Sequence, residues 1–286
     1  MKILVLGGTG MAGHLIKEYF SGQKQHEVWW TTRKIDESNA NSVILDVRNR
    51  DAVKRTIEHL QPNVVINAVG ILNDSAAQNV LDSITVNSIL PQFLAKLSYQ
   101  LNFYLIHIST DCVFSGSKGD YGEQDAKDGS SVYAQTKSLG EIVDSKNLTI
   151  RTSIIGPELK SDGIGLFHWF MHQTGQVKGY KKVFWNGITT LELAKTIERI
   201  LANPVSGLIH LTSKNKISKY DLLNLLKVNF AKKDVTILPD DQIISDKSLV
   251  MTRKDIPFVP KDYKDMISEL YKWMQKHCHL YHQYFR

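Results

Sequence analysis

Apolar and polar positions alternate along the first half of the chain in a pattern that predicts a parallel α/β fold. Short apolar runs predict strands, and longer stretches with apolar residues three or four apart predict helices between them. The predicted strands cover residues 2–6, 27–31, 43–46, 63–68, 103–109 and 148–152, and the predicted helices cover 11–20, 49–60, 83–100 and 131–145. Strands alternating with helices are typical of a doubly wound, Rossmann-type parallel sheet.

The pattern changes after Thr152. Helices are predicted at 164–175, 190–203, 217–230 and 261–278, with one more strand at 208–212 and a Pro- and Asp-rich segment at 238–260. A chain of 286 residues is long enough for one large α/β domain or for a Rossmann domain with a smaller second lobe.

A glycine-rich turn follows the first predicted strand. Gly8-x-Gly10-x-x-Gly13 matches the dinucleotide-binding fingerprint, and Gly7-x-x-Gly10-x-x-Gly13 matches its close variant. Such glycines permit a tight turn, let the backbone approach a pyrophosphate, and seat the helix against the strand. Because a strand precedes the turn and a helix follows it, we favour cofactor binding over a merely flexible turn.

Tyr133 and Lys137 lie four residues apart on a predicted helix, so they share one face. An ammonium beside a phenol is expected to lower the phenol's pKa from its ordinary value near ~10. Ser109 and Thr110 end an apolar strand, where parallel sheets bind ligands, although such a sequence is also common in caps and turns. With Tyr133, one of these hydroxyls could hold a carbonyl oxygen, which predicts carbonyl–alcohol interconversion.

The cofactor preference is predicted from the end of the second strand. Arg33 and Lys34 stand where NAD-preferring Rossmann proteins usually carry an acidic residue, so we expect a 2′-phosphate and NADPH, with NADH also usable. The alternative is that both are solvated loop charges. At the end of the fourth strand, Ala68, Val69 and Gly70 are small enough to leave room for the cofactor.

These motifs together resemble the extended short-chain dehydrogenase/reductase family, specifically its dTDP-4-dehydrorhamnose reductase-like branch. The segments that carry the resemblance are 7–13, 65–70, 86–91, 109–116, 121–125, 133–141, 150–153 and 185–190. It implies an NADPH-dependent reductase of the 4-keto group of a nucleotide-linked 6-deoxyhexose, with Thr110, Tyr133 and Lys137 as catalytic residues. The implied cofactor contacts are Gly7, Gly10, Met11, Gly13, Arg33, Asp46, Val47, Ala68, Val69, Gly70, Tyr133 and Lys137.

The resemblance also implies where the substrate binds. Asp111, Cys112, Arg151, Ser153 and Trp185 are the implied substrate contacts. Rhamnose enzymes usually have tyrosine where this chain has Cys112, and the cysteine form resembles relatives that act on other nucleotide-linked deoxy or acetamido sugars in polysaccharide synthesis.

The family pattern implies a division into two parts. The cofactor domain would comprise 1–152 plus 185–212, and a discontinuous substrate-binding lobe would comprise 153–184 plus 213–286. Two alternatives share this fold: a nucleotide-sugar epimerase, and a non-catalytic regulatory subunit of the kind that accompanies methionine adenosyltransferase. Asp46 would contact adenine in the family pattern or, alternatively, cap the helix that follows Val47.

Composition narrows the choice of partners and compartment. The net charge of +6 comes from scattered Lys and Arg residues, which suits an anionic cofactor and substrate better than nucleic acid. No signal peptide and no apolar run near 18 residues is visible, so we expect a cytoplasmic protein without membrane contact. The sequence is compatible with a homodimer.

The positions of the cysteine and histidine residues predict neither a disulfide nor a metal site. Cys112 and Cys278 predict no disulfide framework, in keeping with a reducing compartment. His277, Cys278, His279 and His282 would point in different directions on a helix, so no metal site is expected.

Overall fold

The computed structural model describes residues 1–33, 40–256 and 258–285. Its strands are β1 Lys2–Leu6, β2 Glu27–Thr32, β3 Ser42–Ile44, β4 Val64–Asn67, β5 Tyr104–Thr110, β6 Leu148–Thr152, β7 Ile154–Ile155, β8 Gly175–Trp185, β9 Ile188–Thr189, β10 Gly207–His210, β11 Ile217–Ser218 and β12 Val235–Asp246.

Helices connect most of these strands. They are α1 Met11–Ser21, α2 Arg50–Leu60, α3 Asn73–Gln78, α4 Val80–Ser83, α5 Leu90–Leu101, α6 Val132–Gly140, α7 Leu166–Met171, α8 Thr190–Ala202, α9 Lys219–Asn229, α10 Tyr263–Lys276 and α11 Cys278–Tyr281. A π-helical segment, Ile84–Ile89, joins α4 to α5, and 3₁₀ turns cover Asp111–Val113 and His282–Tyr284. No helix within the described ranges combines the length and apolar character needed to cross a membrane.

The central sheet of the described residues has seven parallel strands in the order β10-β6-β5-β4-β1-β2-β3. Both of its faces are buried, because alternate residues of one strand enter different cores: Ile3 and Val5 join one cluster, and Leu4 and Leu6 join the other. This arrangement confirms the predicted Rossmann-type doubly wound sheet.

A smaller sheet of three strands, in the order β11-β8-β12, lies in the second half of the described chain. Two of its strands are long, and neither is predicted from the sequence. In β8 the run Gly175–Trp185 contains three lysines and two glycines, and β12 contains Pro239, which its edge position tolerates. The division into two domains remains a prediction.

Two helices differ from their predicted extents. The helix expected at 131–145 ends at Gly140, because Glu141 adopts an extended backbone and its side chain turns into the protein interior. The helix expected at 164–175 is only Leu166–Met171, since the chain enters β8 at Gly175.

Candidate active site

The candidate site lies where the strand order of the central sheet reverses. From β1 the chain proceeds to β2 and β3 on one side, whereas β4, β5, β6 and β10 lie on the other. The connections leave opposite faces there, which opens a crevice beyond the carboxyl ends of β1 and β4. The residues that end β1, β4 and β5 therefore meet at one edge.

The glycine turn after β1 forms a cradle for phosphate. Gly7 has φ +85°, a conformation that favours glycine, and a Cβ on Gly13 would lie 2.1 Å from the Gly7 carbonyl oxygen. The helix α1 can therefore begin directly against the turn, with its N-terminus facing the crevice. This geometry fits a dinucleotide pyrophosphate.

A cavity of about 230 Å³ extends from this turn toward the end of β2. It brings together most of the expected cofactor contacts, namely Gly7, Gly10, Arg33, Asp46, Val47, Ala68, Val69 and Gly70. Arg33 is at the position expected for a 2′-phosphate contact, whereas Lys34 lies outside the described residues. The cavity therefore has the charge and the backbone geometry to accept NADPH.

This cavity is also lined by three charged residues that the sequence analysis did not identify. Arg48 forms an ion pair with Asp46 at 2.6 Å and with Asp82 at 2.7 Å, and Lys160 reaches the cavity from the loop after β7. Asp46 does not cap α2, because the Asn49 side chain accepts the hydrogen bond from the Ala52 amide. The capping alternative for Asp46 was therefore wrong.

A second cavity, of about 300 Å³, continues from the first and shares Gly10, Ala68, Val69 and Gly70 with it. Its walls include all three expected catalytic residues, Thr110, Tyr133 and Lys137. Met11 and the expected substrate contacts Asp111, Cys112 and Ser153 also line it. The residues predicted from three separate segments of sequence thus meet around one space.

The protonation of Tyr133 differs from the expectation. Burial raises the pKa of the phenol, and the neighbouring Cys112 raises it further, while a hydrogen bond with Thr110 opposes the shift. Lys137 is not among the groups that shift this pKa, and its ammonium donates to the Ile108 carbonyl oxygen at 2.7 Å. The expected lowering of the Tyr133 pKa by Lys137 was wrong.

Lys137 is buried between helix α6 and strand β5. Burial lowers the pKa of its amine to about 8, although the Glu141 carboxylate opposes this shift. Its Nζ lies 3.5 Å from Nε2 of His107, which is fully buried on β5. Sequence reasoning did not identify His107, because an interior strand histidine carries no distinctive motif.

The two hydroxyls that end β5 point to different partners. Ser109 donates a hydrogen bond to Glu141 at 2.8 Å, whereas Thr110 donates to Asp111 at 3.2 Å within the second cavity. Both residues line the second cavity, but the Ser109 hydroxyl is bonded to the buried Glu141 carboxylate, so Thr110 is the better candidate to meet a substrate.

Cys112 lies in the 3₁₀ turn that follows β5. Burial and the neighbouring Asp111 raise the pKa of its thiol to about 11. Because the thiol stays protonated near neutral pH, Cys112 is suited to lining the cavity and not to nucleophilic attack.

Arg151 is not placed to contact a substrate. Its side chain is 2% exposed, and it donates to both carboxylate oxygens of Glu141, at 2.8 and 2.7 Å. A third nitrogen lies 2.7 Å from His210 Nε2, and burial and Arg151 lower the pKa of that imidazole to about 4. The assignment of Arg151 as a substrate contact was therefore wrong: it belongs to a buried network beneath the site.

Trp185 also lies behind the cavity wall. Its indole nitrogen donates to the Ser153 hydroxyl at 2.7 Å, and the Lys219 ammonium lies 5.0 Å from its ring centroid. Trp185 therefore orients two residues and does not line the cavity, which corrects its assignment as a direct contact.

Lys219 lies near the catalytic cavity and lines a larger one. Its amine interacts electrostatically with Asp111 and Cys112, and its side chain lines a cavity of about 610 Å³ between α7, β8 and α9. Sequence reasoning missed this lysine, which is one of many in the second half of the chain. Among the described residues, no group of three or more acidic, histidine or cysteine side chains is placed to hold a metal ion.

Comparison with known proteins identifies the family. The family model described as the RmlD substrate binding domain matches residues 1–242. The chain belongs to this family. The resemblance inferred from the motifs is thereby confirmed.

Individual relatives differ in how much of their length is matched. A dTDP-4-dehydrorhamnose reductase from Aggregatibacter actinomycetemcomitans is 32% identical over 158 residues, which cover 53% of this chain and 51% of that protein. The match thus spans about half the length of that relative. The methionine adenosyltransferase 2 subunit beta of Pongo abelii is 24% identical over 77% of this chain and 70% of its own length.

Solved structures show the same fold. The dTDP-4-dehydrorhamnose reductase of Bacillus anthracis, crystallised in complex with NADP, superimposes with a TM-score of 0.81 over 95% of this chain and 99% of that chain, at 16% identity.

Proposed function

We propose that this protein is a cytoplasmic, NADPH-dependent reductase of the 4-keto group of a nucleotide-linked 6-deoxyhexose, acting in the synthesis of polysaccharide precursors. The observation that carries the proposal is that Thr110, Tyr133 and Lys137 line one cavity that opens into the cradle of the glycine turn. The relatives named as reductases of such a sugar support the substrate class.

The cofactor would be held by residues already described. The turn of Gly7, Gly10 and Gly13 would bind its pyrophosphate. Arg33 would pair with a 2′-phosphate, and Lys137 would bind the ribose next to the nicotinamide. When bound, NADPH supplies the hydride for the carbonyl carbon.

The protein would supply the proton. The Tyr133 phenol is protonated at neutral pH, and burial, which raises its pKa, keeps it so until the developing alkoxide, a stronger base, takes the proton. Thr110 would donate a second hydrogen bond to the same oxygen. The two donors converge on one atom and stabilise the charge that develops there.

The substrate would extend from the catalytic cavity into the larger one. Asp111, Cys112 and Ser153 would face the sugar, and Lys219, which lines the larger cavity and interacts with Asp111, would pair with a diphosphate. The larger cavity, with Trp169 and Tyr180 in its walls, offers flat aromatic surfaces for a base.

A regulatory subunit is the second candidate, because proteins named as methionine adenosyltransferase 2 subunit beta match up to 77% of this chain. An epimerase is the third, since it would use the same fold and the same Tyr133 and Lys137.

One assay separates these functions. A panel of enzymatically generated nucleotide keto-sugars is incubated with NADPH, and both NADPH oxidation and the sugar product are followed. A reductase consumes one NADPH for each hydroxyl formed. Epimerised product without net NADPH oxidation would indicate an epimerase, and tight NADPH binding without turnover of any sugar would favour the regulatory role.

A further inference from the structure

A line of hydrogen-bonding groups runs across the central sheet to Lys137. Asn67 on β4 and His107 on β5 are direct neighbours in register, and both are fully buried. The Val69 amide nitrogen lies 3.3 Å from Asn67 Oδ1, and Asn67 Nδ2 lies 3.1 Å from His107 Nδ1. On the far side of the ring, Nε2 lies 3.5 Å from Lys137 Nζ.

The orientation of the Asn67 amide decides which histidine nitrogen carries the proton. The Val69 N–H can only donate, so the atom it faces is the Asn67 carbonyl oxygen, and the Asn67 NH₂ group must face His107. His107 Nδ1 therefore accepts. Burial lowers the pKa of His107 well below its ordinary value, so the ring is neutral and its single proton lies on Nε2.

This tautomer points an N–H at Lys137. An ammonium has three hydrogens and no lone pair, so it cannot accept from Nε2–H, whereas a neutral amine can. The other groups facing Lys137 are the Ile108 carbonyl on β5, Tyr133 one helical turn earlier, and the Glu141 carboxylate after α6. The Ile108 carbonyl and the Glu141 carboxylate favour the charged ammonium form of Lys137. The N–H of His107 favours the neutral amine.

We propose that Asn67 and His107 are positioning residues that aim an N–H at the Lys137 nitrogen and thereby keep the Lys137 proton labile. The chemical consequence rests on the proposed function. Once Tyr133 has given its proton to the substrate oxygen, a labile ammonium proton is a ready source for restoring the phenol. Neither Asn67 nor His107 touches the substrate in this scheme.

Nitrogen-15 NMR of the histidine side chains tests the tautomer without any substrate. The His107 signals are assigned by their loss in His107→Gln or, should that variant not fold, by sequential assignment of the wild type. We expect a neutral ring with the proton on Nε2 that stays unchanged from pH 6 to pH 9. A proton on Nδ1, or a cationic ring in this range, would overturn the proposal.

A second measurement tests the effect on Lys137. In Asn67→Asp the carboxylate accepts from His107 Nδ1–H, so Nε2 is left with a lone pair that accepts from the ammonium. The added negative charge acts in the same direction. The titration midpoint of Lys137, followed by the ¹³Cε shift and assigned by its loss in Lys137→Met, should rise by about one pH unit or more.

The matched control is Asn203→Asp, which makes the same change at an exposed position after α8 and should leave the midpoint in place. An unchanged midpoint in a folded Asn67→Asp protein would refute the coupling. If Asn67→Asp does not fold, the nitrogen-15 measurement of the His107 tautomer in the wild type decides whether the proposal holds. Because neither measurement requires turnover, failure of the reductase proposal would not be mistaken for failure of this one.

Discussion

Replacing Tyr133 with phenylalanine separates proton donation from packing at the scale of one atom. The ring keeps its place in the cavity wall, so we expect cofactor affinity and folding to change little while turnover falls by about 10²–10⁴. Steady-state assays under conditions where chemistry limits the rate would measure this, with Tyr99→Phe as a control at an exposed site. A variant with near wild-type turnover would remove Tyr133 from the acid role.

Arg33 is expected to set the preference for NADPH over NADH. A charge-assisted pair with the 2′-phosphate contributes on the order of 1.5–3 kcal/mol, so NADPH should bind roughly tenfold or more tightly than NADH. Arg33→Ala should reduce this ratio, whereas Arg50→Ala, outside the cofactor cavity, should not. Fluorescence titrations with both cofactors measure the ratio of affinities. Equal affinities in the wild type would rule out this role of Arg33.

Cys112 is expected to influence which sugar is preferred without taking part in the chemistry. Its thiol lines the catalytic cavity and stays protonated, so Cys112→Ser should keep most activity, as should the control Cys278→Ser at an exposed cysteine. Cys112→Tyr fills the space and should shift the ratio of kcat/KM between an acetamido and a plain keto-deoxysugar. Complete loss of activity in Cys112→Ser would mean that the thiol takes part in the reaction, contrary to this prediction.

At the scale of elements, the ion pair between Glu141 and Arg151 ties the end of α6 to strand β6. Burial alone would raise the pKa of Glu141, but the hydrogen bonds and charge of Arg151 hold it below the ordinary value. Since the folded-state pKa is lowered, the stabilisation is complete above the ordinary carboxyl pKa of ~4.3 and is lost as the pH falls through the folded-state pKa.

Arg151→Met should therefore destabilise the protein by about 3–5 kcal/mol at neutral pH, because it leaves the Glu141 carboxylate buried without its main partner. The difference from the wild type should narrow on acidification, when Glu141 is protonated in both proteins. Urea unfolding at several pH values measures this. As a control, Lys54→Met, which removes the exposed Lys54–Glu58 pair, should change stability by less than ~1 kcal/mol. If Arg151→Met lowered the stability equally at every pH, the ionic explanation would be wrong.

The elements also show what the sequence could predict. Strands such as Lys2–Leu6 and Leu148–Thr152 were predicted to the residue, because the first is an apolar run before a glycine turn and the second is rich in β-branched residues. Strand β8 escaped prediction because it is stabilised by pairing with β12, a contact of high sequence separation. The sequence likewise shows Arg151 as a charged residue near the end of a predicted strand, but it could not reveal that the Arg151 guanidinium is paired with Glu141 and is therefore not a substrate contact.

At the scale of the whole molecule, one apolar core connects the two sheets. The cluster that contains Ile3 and Val5 of the central sheet also contains Leu222, Leu226 and Leu270 from the helices of the second half. A continuous core means that neither part can lose its packing while the other keeps it. The two parts are therefore expected to unfold together, unlike domains joined by small polar interfaces.

Scanning calorimetry should accordingly show a single unfolding transition, with calorimetric and van't Hoff enthalpies in agreement. NADPH at a hundred times its dissociation constant should stabilise the folded state by about 2.7 kcal/mol and move the whole transition upward, by about 2 °C for each kcal/mol. Because the cofactor cavity is lined mainly by residues around the central sheet, a shift of the entire transition means that its stabilisation is shared with the smaller sheet. Two resolved transitions, with only one moved by NADPH, would instead show that the two sheets belong to independently folding domains.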